Sequence, residues 1–191
     1  SVECKMDPEQ SDLFTGTWDK NLEGKPGANC DVEAQDQKPN VGCGIQHPQS
    51  YGADFNAYGG AVYAAEWTKS GVSVYFFPRG CIPEDLRCHR PNPATWGKPV
   101  ARYTFGASCD NSRFDFQHIV INLTFCGIWG DRDFSAFACE QHGSATCADL
   151  VRSRPDVLKD AYWQIRSLKI YQTDYGLIKP HGHVGPHPGM E

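Results

Sequence analysis

Between Ala61 and Phe77 the chain reads AVYAAEWTKSGVSVYFF, two alternating runs separated by Lys69-Ser70-Gly71. A period of two is what pleating imposes on a strand. The stretch Tyr51 to Pro78 therefore predicts a β-hairpin, entered at Gly59-Gly60 and stopped by Pro78, which has no amide hydrogen to give to a ladder. Ala61, Tyr63, Ala65 and Trp67 fall on one face of the first strand, and Val62, Ala64, Glu66 and Thr68 on the other. In the second strand Val72, Val74 and Phe76 oppose Ser73, Tyr75 and Phe77. Glu66 and Trp67 are thus sequence neighbours on opposite sides of a sheet, and only one of them can face a given cleft.

The rest of the regular structure also reads as strand. Val100 to Phe105 fits a strand, and Phe114 to Phe125 predicts the strongest one, a central strand with Ile119, Ile121, Leu123 and Phe125 alternating against Val120, Asn122 and Thr124. Tyr162 to Gln172 makes the last strand. Between the hairpin and Val100, prolines at 83, 91, 93 and 99 forbid a helix interior or a central strand, so Arg79 to Pro99 is a surface loop carrying Trp96. Residues 1–48 are long polar loops held by Cys4, Cys30 and Cys43. Cys147 to Ser153 fits a helical turn, and Pro155 is placed to start another at its first position. This pattern predicts an all-β chain, a jelly-roll β-sandwich with short helical turns near 148–160. One domain over 1–172 is expected, followed by a His/Gly/Pro-rich tail, 173–191, expected to be disordered.

A formal charge of −5, with no Lys/Arg cluster, excludes a nucleic-acid footprint. No apolar run is long enough to span a membrane. Nine cysteines without repeated C-x-x-C pairs point to disulfides rather than zinc, and hence to a secreted, extracellular protein. Cys139 with Cys147 and Cys81 with Cys88 are short loops that can close locally, although spacing alone leaves the connectivity open. An odd count leaves one thiol free or paired with another segment or chain. In HGHVGPH, His181, His183 and His187 stand among Gly and Pro that cannot preorganise a metal site, so neither metal nor cofactor is expected.

FNAYGGAVYAAEWT, VYFFPRGCIPEDL, ATWGKPVA, CDNSRFDFQHIVINLTFCGIWG and DAYWQIRSLKIYQ occur in the order and spacing of a known family. The chain resembles glycoside hydrolase family 16 of the fungal endo-1,3(4)-β-glucanase, or laminarinase, type, from about Cys4 to Gln172. The resemblance implies a jelly roll whose concave sheet forms a glucan cleft, with retaining hydrolysis of β-glucan polysaccharide as the activity. Two departures stand beside it. The family's Glu-x-Asp-x-x-Glu strand, which lies upstream of the matched stretch, occurs nowhere in the 191 residues. Ile128 stands where relatives resembling FCGDWAG have an aspartate.

Retaining glycosidases use two carboxyl groups about 5 Å apart, one to attack and one to donate a proton. Asp131 and Asp133 have the right interval but sit in a loop where nothing pins them. No catalytic residue is therefore assigned. The candidate sugar contacts are Trp129, in a glycine-flanked loop suited to stacking on a sugar ring, with Glu66, Trp67 and Asn56. Glu66 also reads as a sheet-face carboxylate bonded to a neighbour, and Trp67 as core. Trp18 and Trp163 read as packing. Asn122-Leu123-Thr124 is the single N-x-S/T sequon, usable for glycosylation where Asn122 points to solvent. Two functions follow as expectations: part of a β-glucanase that is inactive by itself and completed by another segment or companion polypeptide, or a naturally truncated glucan-binding or effector-like protein.

Overall fold

The computed structural model describes residues 4–114, 117–123, 125–127 and 146–172. The chain divides into two compact units, Ser1–Gln117 and His118–Glu191.

The first unit holds the strands. β1 (Thr17–Trp18) pairs antiparallel with β2 (Ile45–Gln46). β3 (Ala61–Thr68), β4 (Gly71–Pro78) and β5 (Ala101–Thr104) form an antiparallel sheet in that order. The hairpin register runs from Ala61 opposite Pro78 to Thr68 opposite Gly71, as the alternation requires. Gly71 closes the turn at φ 152°, and a Cβ there would run into the Tyr103 carbonyl oxygen, so the position takes glycine for both conformation and space. β5 continues the rows, with Ser73 opposite Arg102 and Val74 opposite Ala101. Since directly opposed residues share a face, one side of the sheet carries Glu66, Ser73, Tyr75, Phe77 and Arg102, and the other Tyr63, Trp67, Val74, Phe76 and Tyr103.

The entry to the hairpin differs from the sequence reading. Gly52–Ala57 is a short helix, α1, and the backbone N–H groups of Tyr58, Gly59 and Gly60 return to the carbonyls of Asp54, Asn56 and Phe55. Gly59 and Gly60 take φ of 71° and 88°, so the glycine pair that reads as a strand entry also terminates a helix, the usual role of a left-handed glycine past the last turn. Arg79–Cys81 and Pro93–Thr95 are single 3-10 turns, and α2 (Glu84–Arg87) is one helical turn.

The core of this unit gathers Met6, Phe14, Trp18, Ala28 and Cys109. Phe14 meets Trp18 edge-on at 5.6 Å and Trp18 meets Tyr103 at 6.1 Å, the geometry aromatic quadrupoles favour. Each large side chain buried there contributes roughly 1.5–3 kcal/mol. Trp18 is thus packing, as its sequence suggests. Two bonds staple the long loops, Cys4–Cys109 and Cys30–Cys43, and the Cys30 amide donates to the Cys4 carbonyl at 2.8 Å, so the staples lie side by side.

The second unit is small. Thr146 caps the helix Cys147–Ser153 through its hydroxyl, which accepts from the Asp149 amide at 3.1 Å. Pro155 opens the 3-10 turn Pro155–Leu158, as its missing amide hydrogen permits. Cys147 and Leu150 are buried against Cys126, Val151 and Val157.

Three expectations are corrected here. Cys147 bonds Cys126, not Cys139, which lies outside the described residues. Cys81 and Cys88 are both free and exposed, because α2 stands between them and the Cys88 thiol donates to Glu84 Oε1 at 3.2 Å instead. Among the described residues of 117–127 and 162–172 there is no strand. Alternation says which residues would share a face, but a ladder exists only where a second backbone lies alongside in register. These two segments are tied instead by a side chain, Trp163 Nε1 donating to the Asn122 carbonyl at 2.8 Å. Trp163 is exposed rather than packed.

Candidate functional site

The Glu66 side of the sheet is the polar one. Glu66, Ser73 and Arg102 form one straight row across β3, β4 and β5. Arg102 Nη1 donates to Ser73 Oγ at 2.9 Å, and Ser73 is 2% exposed, so the guanidinium is held over the sheet by a buried hydroxyl. Tyr75 lies next to this row. Burial pushes its phenol above the ordinary value and the Glu66 charge pushes it further, partly offset by Arg102 and a bond with Ser73. The Tyr75 hydroxyl therefore keeps its proton at neutral pH and can donate as well as accept.

The segment 93–99 closes one side of the groove above this row. Trp96 stands edge-on to Tyr75 at 5.0 Å and to Phe77 at 5.6 Å. Its indole Nε1 donates to Asp85 Oδ2 at 2.7 Å, and the Asn92 amide donates to the same oxygen at 2.6 Å. Partial desolvation pushes the Asp85 carboxyl up, but these two bonds, together with those from the Leu86 and Asp85 amides, outweigh it and hold the group below the usual carboxylate range. Asp85, at the first turn of α2, thus pins the proline-rich excursion onto the sheet. Asp12 and Leu13, from the 3-10 turn Pro8–Leu13, form the opposite wall. The resulting open groove holds about 440 Å³, within the usual range for small-molecule sites. Lys98 at its rim balances the two carboxylates of Asp12 and Glu66 together with Arg102.

The sequence-derived candidates do not converge. Glu66 is half-buried in the groove and shares it with Tyr75 and Arg102. Trp67 is on the opposite face, 48% exposed, with its ring edge-on to Phe114 at 6.5 Å. Asn56 is exposed on α1, whose Phe55 stacks on Tyr63 at 6.1 Å and so belongs to the Trp67 side. Trp129, Asp131, Asp133 and the His-rich tail lie outside the described residues. Asn122 is exposed in the second unit, with its backbone carbonyl held by Trp163. Sequence reasoning missed Tyr75, Arg102, Asp85 and the anchoring of Trp96. Only Tyr75 had a signal, its place on the Glu66 face.

A second concavity, about 510 Å³, is bounded by loop residues including Asp31, Glu33 and Asp36. Its acids are engaged locally, as where the Glu33 amide donates to Asp31 Oδ1 at 3.0 Å. Among the described residues no three His, Cys, Asp or Glu side chains come together as a metal would require.

Comparison with known proteins supplies the context for the groove. Residues 2–171 match the family model described as XgeA-like, catalytic GH16 domain. The chain is 38% identical over 155 residues to an endo-1,3(4)-β-glucanase of Arthroderma benhamiae, covering 80% of this chain and 34% of that protein. It is 37% identical over 138 residues to the endo-1,3(4)-β-glucanase xgeA of Emericella nidulans, covering 69% of this chain and 22% of the other. The chain thus spans about a third or less of the length of these curated relatives. Among solved structures it is similar to GH16 laminarinase 16A from Phanerochaete chrysosporium, a structure described with two β-glucans (6-O-glucosyl-laminaritriose) in both donor and acceptor sites. The identity is 34% and the TM-score 0.64, over 85% of this chain and 52% of that one. This likeness makes the fold class the expected all-β jelly roll with a few short helices.

Proposed function

Because the chain belongs to glycoside hydrolase family 16, in its XgeA-like catalytic branch, we propose that it is a glucan-binding part of an extracellular β-glucanase. The parent activity is retaining hydrolysis of internal β-1,3 or mixed β-1,3/1,4 linkages. The 191 residues alone hold glucan without cutting it. What carries this reading is a mismatch. The match to glucanases extends over residues 2–171, yet no Glu-x-Asp-x-x-Glu occurs in the sequence to supply two carboxyls about 5 Å apart. Glu66 cannot serve as both nucleophile and acid, and its row partners are Ser73 and Arg102 rather than a second acid.

Three disulfides among the described residues support an oxidising, extracellular setting. Glu66 is the contact we favour among the candidates, since it opens onto a groove, while Trp67 and Asn56 occupy the other face; Trp129 is kept as a sugar-stacking residue on its sequence setting alone. The test is direct. The purified polypeptide should bind laminarin in a pull-down or calorimetric titration and release no reducing ends from laminarin or barley glucan over hours. Robust release of reducing ends overturns the non-catalytic reading, and failure to bind any β-glucan overturns the binding reading.

A further inference from the structure

The sequon Asn122-Leu123-Thr124 is a motif that the glucan reading leaves unused. An N-linked sugar is tolerated only where the acceptor lies on the surface of the finished fold. Asn122 meets that condition: it is exposed between exposed Ile121 and Leu123, outside any strand. Its backbone carbonyl accepts from Trp163 Nε1 at 2.8 Å, while among the described residues nothing bonds its side-chain amide. A substituent on that amide therefore costs the fold no contact. The disulfides call for the oxidising secretory route, on which such sugars are attached.

The surroundings give the sugar something to do. Residues 118–125, HIVINLTF, contain no Asp, Glu, Lys or Arg and no Pro or Gly, and Ile119, Ile121 and Leu123 stand exposed on them. Among its described residues this segment lies in no ladder. A short, uncharged, β-prone stretch without a partner strand is what a second chain pairs with. Across the hydrogen bond Trp163 is 62% exposed, with Ile165 exposed beyond it. A hydrated oligosaccharide on Asn122 covers this apolar stretch, and the indole beside the acceptor offers its first sugar a flat apolar surface.

We infer that Asn122 is an N-glycosylation site and that its oligosaccharide shields 118–125 from self-association. The donor is a lipid-linked oligosaccharide diphosphate. Asn122 Nδ2 attacks its anomeric carbon: a C–N bond forms, the C–O bond to the diphosphate breaks with the electron pair leaving on the phosphate oxygen, and the amide gives up one proton. Thr124 supplies the hydroxyl at the second position after the acceptor, where the sequon requires it.

The experiment secretes the 191-residue chain from a eukaryotic host and treats it with peptide N-glycosidase F, which turns a glycosylated asparagine into aspartate. Tandem mass spectrometry should find the conversion at position 122, and both Asn122→Gln and Thr124→Ala should lose the glycan mass. An unmodified Asn122 in the secreted protein overturns the site. Sedimentation velocity then compares the glycoprotein with the same sample trimmed by endoglycosidase H to its first sugar, and with the two variants. The glycoprotein should stay monomeric where the glycan-free variants associate, and Ile121→Lys added to Asn122→Gln should restore the monomer. Trimmed and glycan-free protein as monomeric as the glycoprotein, or association that Ile121→Lys leaves intact, overturns the shielding. Because trimming needs no substitution, a poorly folding variant does not decide the outcome. Laminarin binding on the same samples reads the proposed function separately, so either can fail without the other.

Discussion

Separating the two staples of the first unit tests how its loops are stabilised. Cys4–Cys109 joins positions 105 apart in sequence, and Cys30–Cys43 joins positions 13 apart. In the chain-entropy account a cross-link acts on the unfolded ensemble, by an amount that grows with the logarithm of the loop it closes. Near room temperature that gives about 4.8 kcal/mol for the long loop and about 2.9 kcal/mol for the short one, a difference of about 1.9 kcal/mol. Both pairs are replaced by alanine, Cys4→Ala with Cys109→Ala and Cys30→Ala with Cys43→Ala. Each double variant loses two sulfurs, so the transfer terms largely cancel, except that Cys109 is 1% exposed and leaves a small cavity that adds to the loss. Urea unfolding followed through tryptophan emission, to which the buried Trp18 contributes, reads both free energies. The long-loop variant should unfold at clearly lower urea, by roughly 2 kcal/mol or more. Equal losses, or a larger one for the short loop, would refute the argument and locate the stabilisation in native contacts around Cys30.

Two other outcomes follow from side-chain chemistry. The Asp85 carboxylate is favoured in the fold by the Asn92 and Trp96 donors, so the stabilisation it gives is present above its unfolded pKa and is lost as pH falls through the lowered folded value. A tryptophan emission change below the ordinary carboxylate range, about pH 4, should therefore be seen in the parent and be missing from Asp85→Ala, and an unchanged acid titration in that variant would contradict the assignment. The Cys88 thiol is pushed up first by its bond to Glu84 and then by that residue's charge. Iodoacetamide mapped by mass spectrometry should accordingly modify Cys81 faster than Cys88, and Glu84→Gln should speed Cys88 alone. Equal rates in the parent would count against the Glu84 contact.

What the sequence made legible was what is local. The hairpin from Ala61 to Pro78, its faces, the strand after Val100 and the turns at Cys147 and Pro155 all rest on patterns a few residues long. What it hid depends on distant partners. Ile119 to Phe125 alternates as cleanly as β3, but alternation does not supply a neighbouring backbone. By spacing Cys147 reads as closing a short loop with Cys139, whereas the packing around Leu150 brings Cys126 to it. At the groove, Glu66 could be placed on a face from its own strand. Arg102 could not, since its position opposite Ser73 requires the β4–β5 register. Trp96 read as a residue in an exposed loop because the anchor that turns it inward, Asp85, lies across two prolines.

The long-range staple also changes what a protease can accomplish. With Cys4 tied to Cys109, almost the whole first unit is a covalent ring, and the exposed prolyl excursion of 79–99 is part of its circumference. A single cleavage there opens the ring without shedding a piece: the molecule gains one water and keeps its mass on a non-reducing gel until a thiol reagent divides it. Nicked and intact molecules in one sample would therefore stay indistinguishable by mass on such a gel until they are reduced.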